Sequence, residues 1–450
     1  MAWYDEAIFY HIYPLGLTGA PARNDGSAAG RRLNTLVPWI AHLRTLGCSA
    51  LYIGPLFESV GHGYETTDYR KLDSRLGTNE DLKAFVAECH SQRVRVVFDG
   101  VFNHTGREFF AFRDILANRE NSPYRDWYGG VDFNGNNGFG DGFSCENWGG
   151  DDALPKLNHR NPQVRSYLLD AVRFWVEAFD VDGIRLDAAD VLDFGFMREL
   201  RRLSDAVKPD FWLMGEVIHG NYGEWVNGTT LHSVTNYQLY KALYSGHNDR
   251  NYFEIAHTVR SLIQRLGETA YRLYNFVDNH DVERIYTRLA DKKNFKPVHL
   301  LLYSLPGIPS IYYGSEFGIE GRKERFSDES LRPALDLSEA SAAAKASGSM
   351  ALIQALGSIR RSTPALRDGA YTELLLTNRQ YAFSRANGDE TALIAVNNDD
   401  QPARVEVAAS GRFIEALTGE IREASDGRLR REIGRASVGK ECRSRWSPYH

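Results

Sequence analysis

The sequence is short of the features that mark several protein classes. It has 4 cysteines among 450 residues, too few for the disulfide framework of a small secreted domain. Cys48, Cys89 and Cys145 stand far apart without the paired spacing of metal ligands, so they read as buried free thiols. No apolar run approaches the roughly 20 residues of a membrane helix. The opening stretch MAWYDEAIFYHIYP has no basic segment, no apolar core and no small-residue cleavage site, and so does not read as a secretory signal. Excess positive charge is missing too: the net charge is −6 and the pI near 6.1. Nucleic acid and anionic membranes are therefore poor partners, and a neutral substrate, which needs no steering, fits the balance better. The expected location is the cytoplasm, unless the chain was made without its export signal.

What remains is an ordinary globular composition, 43% hydrophobic and 25% charged. The length exceeds the roughly 250–300 residues at which a single core stops growing, so two or more domains are expected. Short runs rich in Ile, Val, Tyr and Phe predict strands near residues 8–14, 50–56, 94–102, 183–188, 211–217, 233–237, 273–278 and 310–314. Helix-period segments lie between them. Residues 36–48 place Val37, Ile40, Leu43 and Leu46 on one face. Residues 79–92 open on Asn79 as a cap, with acids in the first turn. Residues 161–179 open on Asn161 and Pro162, a cap followed by a first-turn proline.

Eight strands alternating with helices predict an α/β fold, a closed (β/α)8 TIM barrel built from residues 1–103 and 159–364. Between them, residues 104–158 are rich in Gly, Asn and Asp and read as an inserted loop subdomain after the third strand. Loops of that length inside a compact fold are usually functional. From 365 to 431, YTELLLT, YAFSRA, TALIAVNN and ARVEVAA are separated by turn-forming NGD and NNDD, the pattern of a C-terminal antiparallel β domain. SEASAAAKASGSM (338–350) reads as a loop leading into the last barrel helix. Residues 432–450 show neither strand alternation nor a helical face, and carry the fourth cysteine, Cys442. They resemble translated sequencing-adapter DNA. They read as a non-native, disordered tail behind a β domain lacking its closing strand.

The predicted third, fourth, fifth and seventh strands end in FDGVFNH, GIRLDAAD, MGEVIHG and FVDNHD. Each apolar run closes on at least one carboxylate, and in a barrel these ends converge. Cleaving a glycosidic bond with retention needs two carboxyl groups about 5–5.5 Å apart, one an ionised nucleophile and the other a proton donor. A third can stabilise the developing positive charge. Asp187, Glu216 and Asp281 fit the three places. A lone acid of this kind is more often a structural ion pair, but four such segments together are not so explained. A divalent cation on Asp99, Asn103, His104 and Asp187 is an alternative that the charge of Arg185 disfavours.

These segments resemble the conserved regions of the α-amylase family, glycoside hydrolase family 13. DGVFNH is similar to its first region, GIRLDAAD to the second, GEV to the third and FVDNHD to the fourth. LPKLN (154–158) resembles the MPKLN motif of its neopullulanase and cyclomaltodextrinase branch. HGYETTDY (62–69) and GIPSIYYGSEFG (307–318) match further signatures. The likeness runs from about residue 7 to near residue 430.

The resemblance implies a retaining α-glucan hydrolase cleaving α-1,4 bonds of malto-oligosaccharides, with cyclodextrins, pullulan and starch as further substrates. The alternative it leaves open is an α-glucan transglycosylase using the same carboxyl groups. It implies Asp187 as nucleophile, Glu216 as acid/base and Asp281 as the group that binds sugar hydroxyls and distorts the ring. Tyr64, His62, Asp99, His104, Arg185, His280 and Arg332 would surround the sugar, with Trp225 as an acceptor-side platform. The loop aromatics Trp127, Tyr128, Phe133, Phe139 and Trp148 either stack on sugars or form the loop's own core. A non-catalytic binding relative would lack one of the three carboxyl groups, and all are present here. No cofactor is required. A structural calcium stays open, because Asn103 matches half of the family's site while Ala188, Ala189, Asp190 and Val191 stand where many relatives place Lys-His. The branch usually carries an N-terminal β-sandwich domain. This sequence opens on the first barrel strand, so that domain is expected to be absent.

Overall fold

The computed structural model describes residues 2–27, 30–325, 327–388 and 390–442. The β-branched and aromatic runs become eight parallel strands: β1 (Phe9–Ile12), β2 (Ala50–Ile53), β3 (Arg95–Gly100), β4 (Gly183–Leu186), β5 (Trp212–Gly215), β6 (Ser233–Val234), β7 (Tyr274–Asn275) and β8 (Ile308–Tyr312). They run in the order β6-β5-β4-β3-β2-β1-β8-β7, and a parallel bridge between Thr235 and Tyr274 closes the ring. Phe9, Ala50, Tyr52, Val97, Trp212, Met214, Tyr274 and Ile308 form one buried cluster. These belong to six of the eight strands and meet in the lumen, so the barrel is a packed core rather than a pore. Trp212 stacks on Phe9 with ring centres 4.8 Å apart. Gly183 is required beside it, because a Cβ there would stand 2.6 Å from the Trp212 carbonyl oxygen.

The outer layer comprises α1 (Val37–Thr45), α2 (Asn79–Ser91), α3 (Pro162–Phe179), α4 (Phe194–Val207), α5 (Tyr237–Asn248), α6 (Tyr252–Leu266), α7 (Phe295–Ser304), α8 (Leu337–Ala344) and α9 (Ser349–Ser362). Asn161 caps α3 as expected, its side chain accepting the Gln163 N–H at 2.8 Å. The cap of α2 differs from expectation. Thr78 accepts the Asp81 N–H at 3.3 Å while Asp81 accepts the Thr78 N–H at 2.9 Å, a reciprocal capping box. Asn79 is engaged elsewhere, accepting from Leu72 N–H and donating to the Arg70 carbonyl. Part of the expected loop at 338–350 is also helical. Asp336 caps α8, and its alanines have the highest intrinsic helix propensity.

The insertion after β3 buries Phe112, Ile115, Trp127, Tyr128 and Phe143 in a cluster continuous with the barrel's outer core. Thus Trp127 and Tyr128 pack the loop itself, and Phe133 is partly buried against the same core. Phe139 covers the Arg107 guanidinium at 3.9 Å. Only Trp148, 43% exposed, lies over the barrel mouth, its ring 5.7 Å from that of His104.

After α9 the chain builds β9 (Ala370–Leu376), β10 (Gln380–Ala386), β11 (Thr391–Asn397), β12 (Ala403–Ala408), β13 (Arg412–Glu415), β14 (Ile421–Glu423), β15 (Arg428–Ile433) and β16 (Ala436–Cys442). Six form one antiparallel sheet in the order β9-β10-β11-β16-β13-β14, and β12 pairs with β15. The expectation of a disordered tail from residue 432 is corrected here. Residues 432–433 complete β15, and β16 pairs with β11 on one side and β13 on the other, so the domain has its closing strand. Backbone pairing on both edges orders a segment whose side chains alone would not. Residues 443–450 lie outside the described residues.

The inner face of β16 is thinly filled. Ser437 and Gly439 border a cavity of about 40 Å³ lined also by Leu393, Val405, Phe413 and Leu429. A Cβ on Gly439 would meet Phe413 and Leu393 at 3.7–3.9 Å, ordinary contact distances. Gly439→Ala is therefore expected to stabilise by about 1 kcal/mol, from lost unfolded-chain freedom and one buried methyl. Scanning calorimetry should show the unfolding midpoint rise by about 1–2 °C. A fall would mean that β16 does not hold this register.

Candidate active site

The C-terminal ends of β2, β3, β4, β5 and β7 bring polar side chains to one point at the mouth of an otherwise apolar barrel. Arg185, near the end of β4, is their hub and is 2% exposed. Its Nη1 donates to Asp99 Oδ1 at 2.8 Å and to Asp187 Oδ1 at 2.9 Å. Its Nη2 lies 2.8 Å from Glu216 Oε2. One guanidinium thus holds three carboxyl groups from three adjacent strands. Backbone geometry sets the same register: Asp187 N–H donates to Gly100 O, and Glu216 N–H to Leu186 O. Ala188 adopts a left-handed conformation (φ 46°), which turns its N–H onto Glu216 Oε2 at 3.2 Å.

Asp281 closes the cluster from the loop that follows β7. Its Oδ2 is 3.0 Å from His280 Nε2, and its Oδ1 accepts from Arg332 Nη2 at 2.9 Å. Arg332 also donates to the His280 carbonyl and to Asp328, with its guanidinium 4.7 Å from the Tyr13 ring centre. Tyr64 bridges the two halves. Its hydroxyl donates to Asp99 Oδ2 at 3.1 Å and bonds His280 Nε2, and its ring lies nearly parallel to that imidazole. Tyr52, from β2, donates to the same Asp99 oxygen at 2.9 Å. His62 stands further out, paired with Glu65 at 3.1 Å and lining a cleft of about 490 Å³ with Tyr13, Asp328 and Arg332.

The electrostatics follow from burial and crowding. Burial raises the carboxyls of both Asp187 and Glu216, and the Arg185 charge pulls each back. The charges of Asp281 and Asp99 then push both up again. Such neighbours titrate as a pair rather than singly, and full ionisation would crowd like charges around one cation. Burial drives His280 well below the ordinary histidine range, with Arg332 and Arg185 adding to the effect. His104 is pushed down to about 4, by burial first and by His62 second. Both imidazoles are neutral at pH 7, and each has a buried nitrogen without a protein partner: His104 Nε2 and His280 Nδ1.

Asp187, Glu216, Asp99, Arg185, His104, His280, Tyr64, Asp281 and Arg332 therefore come together, with His62 at the rim. Trp225 does not, and its expected place as a platform is corrected. It is 7% exposed, its indole N–H donates to the Ala189 carbonyl at 3.1 Å, and its ring packs against Phe194. It braces the loop behind Asp187. The sequence reading passed over Tyr52, Tyr237 and Asn279. Tyr237 follows β6 at the barrel mouth, so the strand-end logic that found the carboxylates could have found it.

Carboxyl groups crowded at a barrel mouth among tyrosines and neutral histidines suit cleavage of a sugar–oxygen bond, and fold and site together define a glycoside hydrolase. Residues 20–352 match the alpha amylase catalytic domain. The chain belongs to the α-amylase family. It is 32% identical over 426 residues to a cyclomaltodextrinase of a Bacillus species, a match covering 88% of this chain and 74% of that one. To neopullulanase 2 of Thermoactinomyces vulgaris it is 30% identical over 459 residues, covering 95% and 76%. A cyclic α-maltosyl-(1→6)-maltose hydrolase from Arthrobacter globiformis superposes with a TM-score of 0.82 at 25% identity, over 98% of this chain and 100% of that one.

The residues present supply only part of a site for the family's structural calcium. Asn103 Oδ1 is buried without a partner, yet calcium takes six to eight oxygens. Among the described residues no group of three His, Cys, Asp or Glu gathers to hold a metal ion. Beyond Asp187, Asp190 and Val191 are exposed. EDTA is therefore expected to leave activity and thermal stability essentially unchanged. A melting temperature lowered by more than roughly 10 °C, several kcal/mol for a chain of this size, would reveal a site built otherwise.

Proposed function

We propose that the protein is a retaining α-glucan hydrolase that cleaves α-1,4 bonds of malto-oligosaccharides, with cyclodextrins and pullulan within its range. The observation that carries this reading is the single Arg185 fork holding both Asp187 and Glu216. Two carboxyls on adjacent nitrogens of one guanidinium support the close spacing of retention, not the wider gap that admits a water between them. In this reading Asp187 attacks the anomeric carbon while Glu216 gives a proton to the leaving oxygen. Glu216 then takes a proton from the water that releases the sugar from Asp187. Asp281, held by Arg332 and His280, receives hydroxyls of the same ring. His104 and His280 offer their nitrogens to it as neutral groups, and Tyr64 lies along its apolar face. The substrate range rests on the likeness to cyclomaltodextrinases and neopullulanase, and on the LPKLN motif. Action inside the cell belongs to the same reading. Among the described residues no helix is long and apolar enough to cross a membrane.

Digestion of maltoheptaose tests this directly. Proton NMR of the first products should show the α-anomer, and chromatography should show chains shorter than the substrate. A first-formed β-anomer would overturn retention. Accumulation of chains longer than seven units would assign the enzyme to transglycosylation with the same carboxyl groups.

A further inference from the structure

Glu216 is gripped at both oxygens. Oε2 faces two donors, Arg185 Nη2 at 2.8 Å and Ala188 N–H at 3.2 Å. An oxygen so occupied has little room for a proton of its own. The proton Glu216 passes to a leaving group is then carried on Oε1. That oxygen accepts from one group, the Tyr237 hydroxyl, at 3.2 Å.

Tyr237 begins α5, directly after β6, and none of the family segments quoted above includes it. Its direction of donation is set from behind. Asn279 Oδ1 accepts the N–H groups of Asp281 at 2.8 Å and Val282 at 3.1 Å. This fixes the amide so that Nδ2 donates to the Tyr237 hydroxyl at 3.2 Å. The hydroxyl already receives from Asn279, so it directs its own proton to Glu216. The Tyr237 ring is clamped edge-on against Phe276 at 4.9 Å, so the hydroxyl has a fixed origin.

We infer that Tyr237 and Asn279 are positioning residues for the acid/base, aiming Glu216 Oε1 and coupling it to the turn that carries Asp281. A chain of hydrogen bonds thus runs from the backbone of the turn after β7 through Asn279 and Tyr237 to Glu216, and on to the Ala188 N–H beside Asp187. An O–H donated to Oε1 favours the ionised carboxylate. That is the form Glu216 needs when it receives a proton from water. The inference rests on the proposed role of Glu216.

The other charged groups facing Glu216 are Arg185, Asp187, Asp99 and Asp281, and Tyr237→Phe leaves all of them in place. The ring stays packed, so this variant should fold with an unchanged melting temperature. The kcat/KM profile on maltoheptaose should keep its acid limb, while the alkaline limb moves up by about half a unit to one unit. The maximal kcat should fall about tenfold, with KM within twofold. Asn279→Ala should move the same limb in the same direction. Tyr237→Phe/Asn279→Ala should move it no further than Tyr237→Phe alone, because both remove one link. An alkaline limb that stays put or moves down in folded Tyr237→Phe, or a double variant whose shifts simply add, would overturn the inference. Glu216→Gln separates this failure from failure of the underlying reading. If that variant still cleaves maltoheptaose, Glu216 is not the acid. If it does not, and Tyr237→Phe leaves the limb unmoved, only the positioning role falls.

Discussion

Asp187→Asn is expected to lower kcat on maltoheptaose by on the order of 10⁴ or more while leaving the protein folded. An amide cannot form the covalent bond to the anomeric carbon, and loss of one member of a catalytic unit typically removes most of its rate. The exchange is nearly isosteric. The Asn oxygen can keep the 2.9 Å contact with Arg185 Nη1, and the main-chain bond from residue 187 to Gly100 O does not involve the side chain. A melting temperature no lower than that of the wild type would confirm that the loss is chemical. A folded variant retaining more than a tenth of wild-type kcat would rule out Asp187 as the nucleophile.

Glu216→Gln should have a second and more selective phenotype. Burial first, then the charges of Asp281 and Asp99, hold this carboxyl above its ordinary range against the pull of Arg185. The acid form therefore persists to higher pH than for a free glutamate, and under the proposed role the alkaline limb of wild-type kcat/KM should report its loss. The glutamine variant has no proton to give. Cleavage of maltoheptaose should fall by about 10³-fold or more. A glycosyl fluoride, whose leaving group needs little protonation, should still transfer its sugar to Asp187 at a rate close to wild type in the first turnover. On that substrate the alkaline limb should disappear. Equal losses on both substrates would show that Glu216 is not the acid.

Much of the barrel was legible because its strands are short, apolar and rich in β-branched residues, and such runs have few other uses. The carboxyl groups that converge were legible for a related reason. An acid at the end of a buried strand pays a desolvation penalty that an ordinary surface acid avoids, so Asp99, Asp187 and Glu216 stand out against their neighbours. What the sequence concealed was direction. Trp225 looks the same on paper whether its indole faces the cleft or, as here, turns back to the Ala189 carbonyl. Tyr237 reads as one more aromatic in a predicted strand, because only the structure shows that its hydroxyl meets Glu216. Adjacent Thr78 and Asn79 are both good caps, and the choice was made by the Leu72 and Arg70 backbone groups that Asn79 satisfies. For β16, pairing partners on both sides outweighed a side-chain pattern with little to read.

The Arg185 fork has a consequence for the fold itself. One guanidinium contacts three carboxyl groups, with Asp281 nearby, so the barrel mouth is short of positive charge in the resting protein. In the proposed mechanism the missing charge is the one that develops on the sugar during cleavage. Until then the native state carries the imbalance as a local weakness. Because Asp187 and Glu216 hold their protons more tightly in the folded chain than in the unfolded one, this part of the structure favours folding below the unfolded value near pH 4. It loses that contribution as pH rises through the raised folded values. Stability and activity therefore pull in opposite directions at this site. Neutralising one carboxyl should leave a protein that is inert yet harder to unfold at neutral pH, which places the barrel mouth among the regions kept less stable for the sake of function.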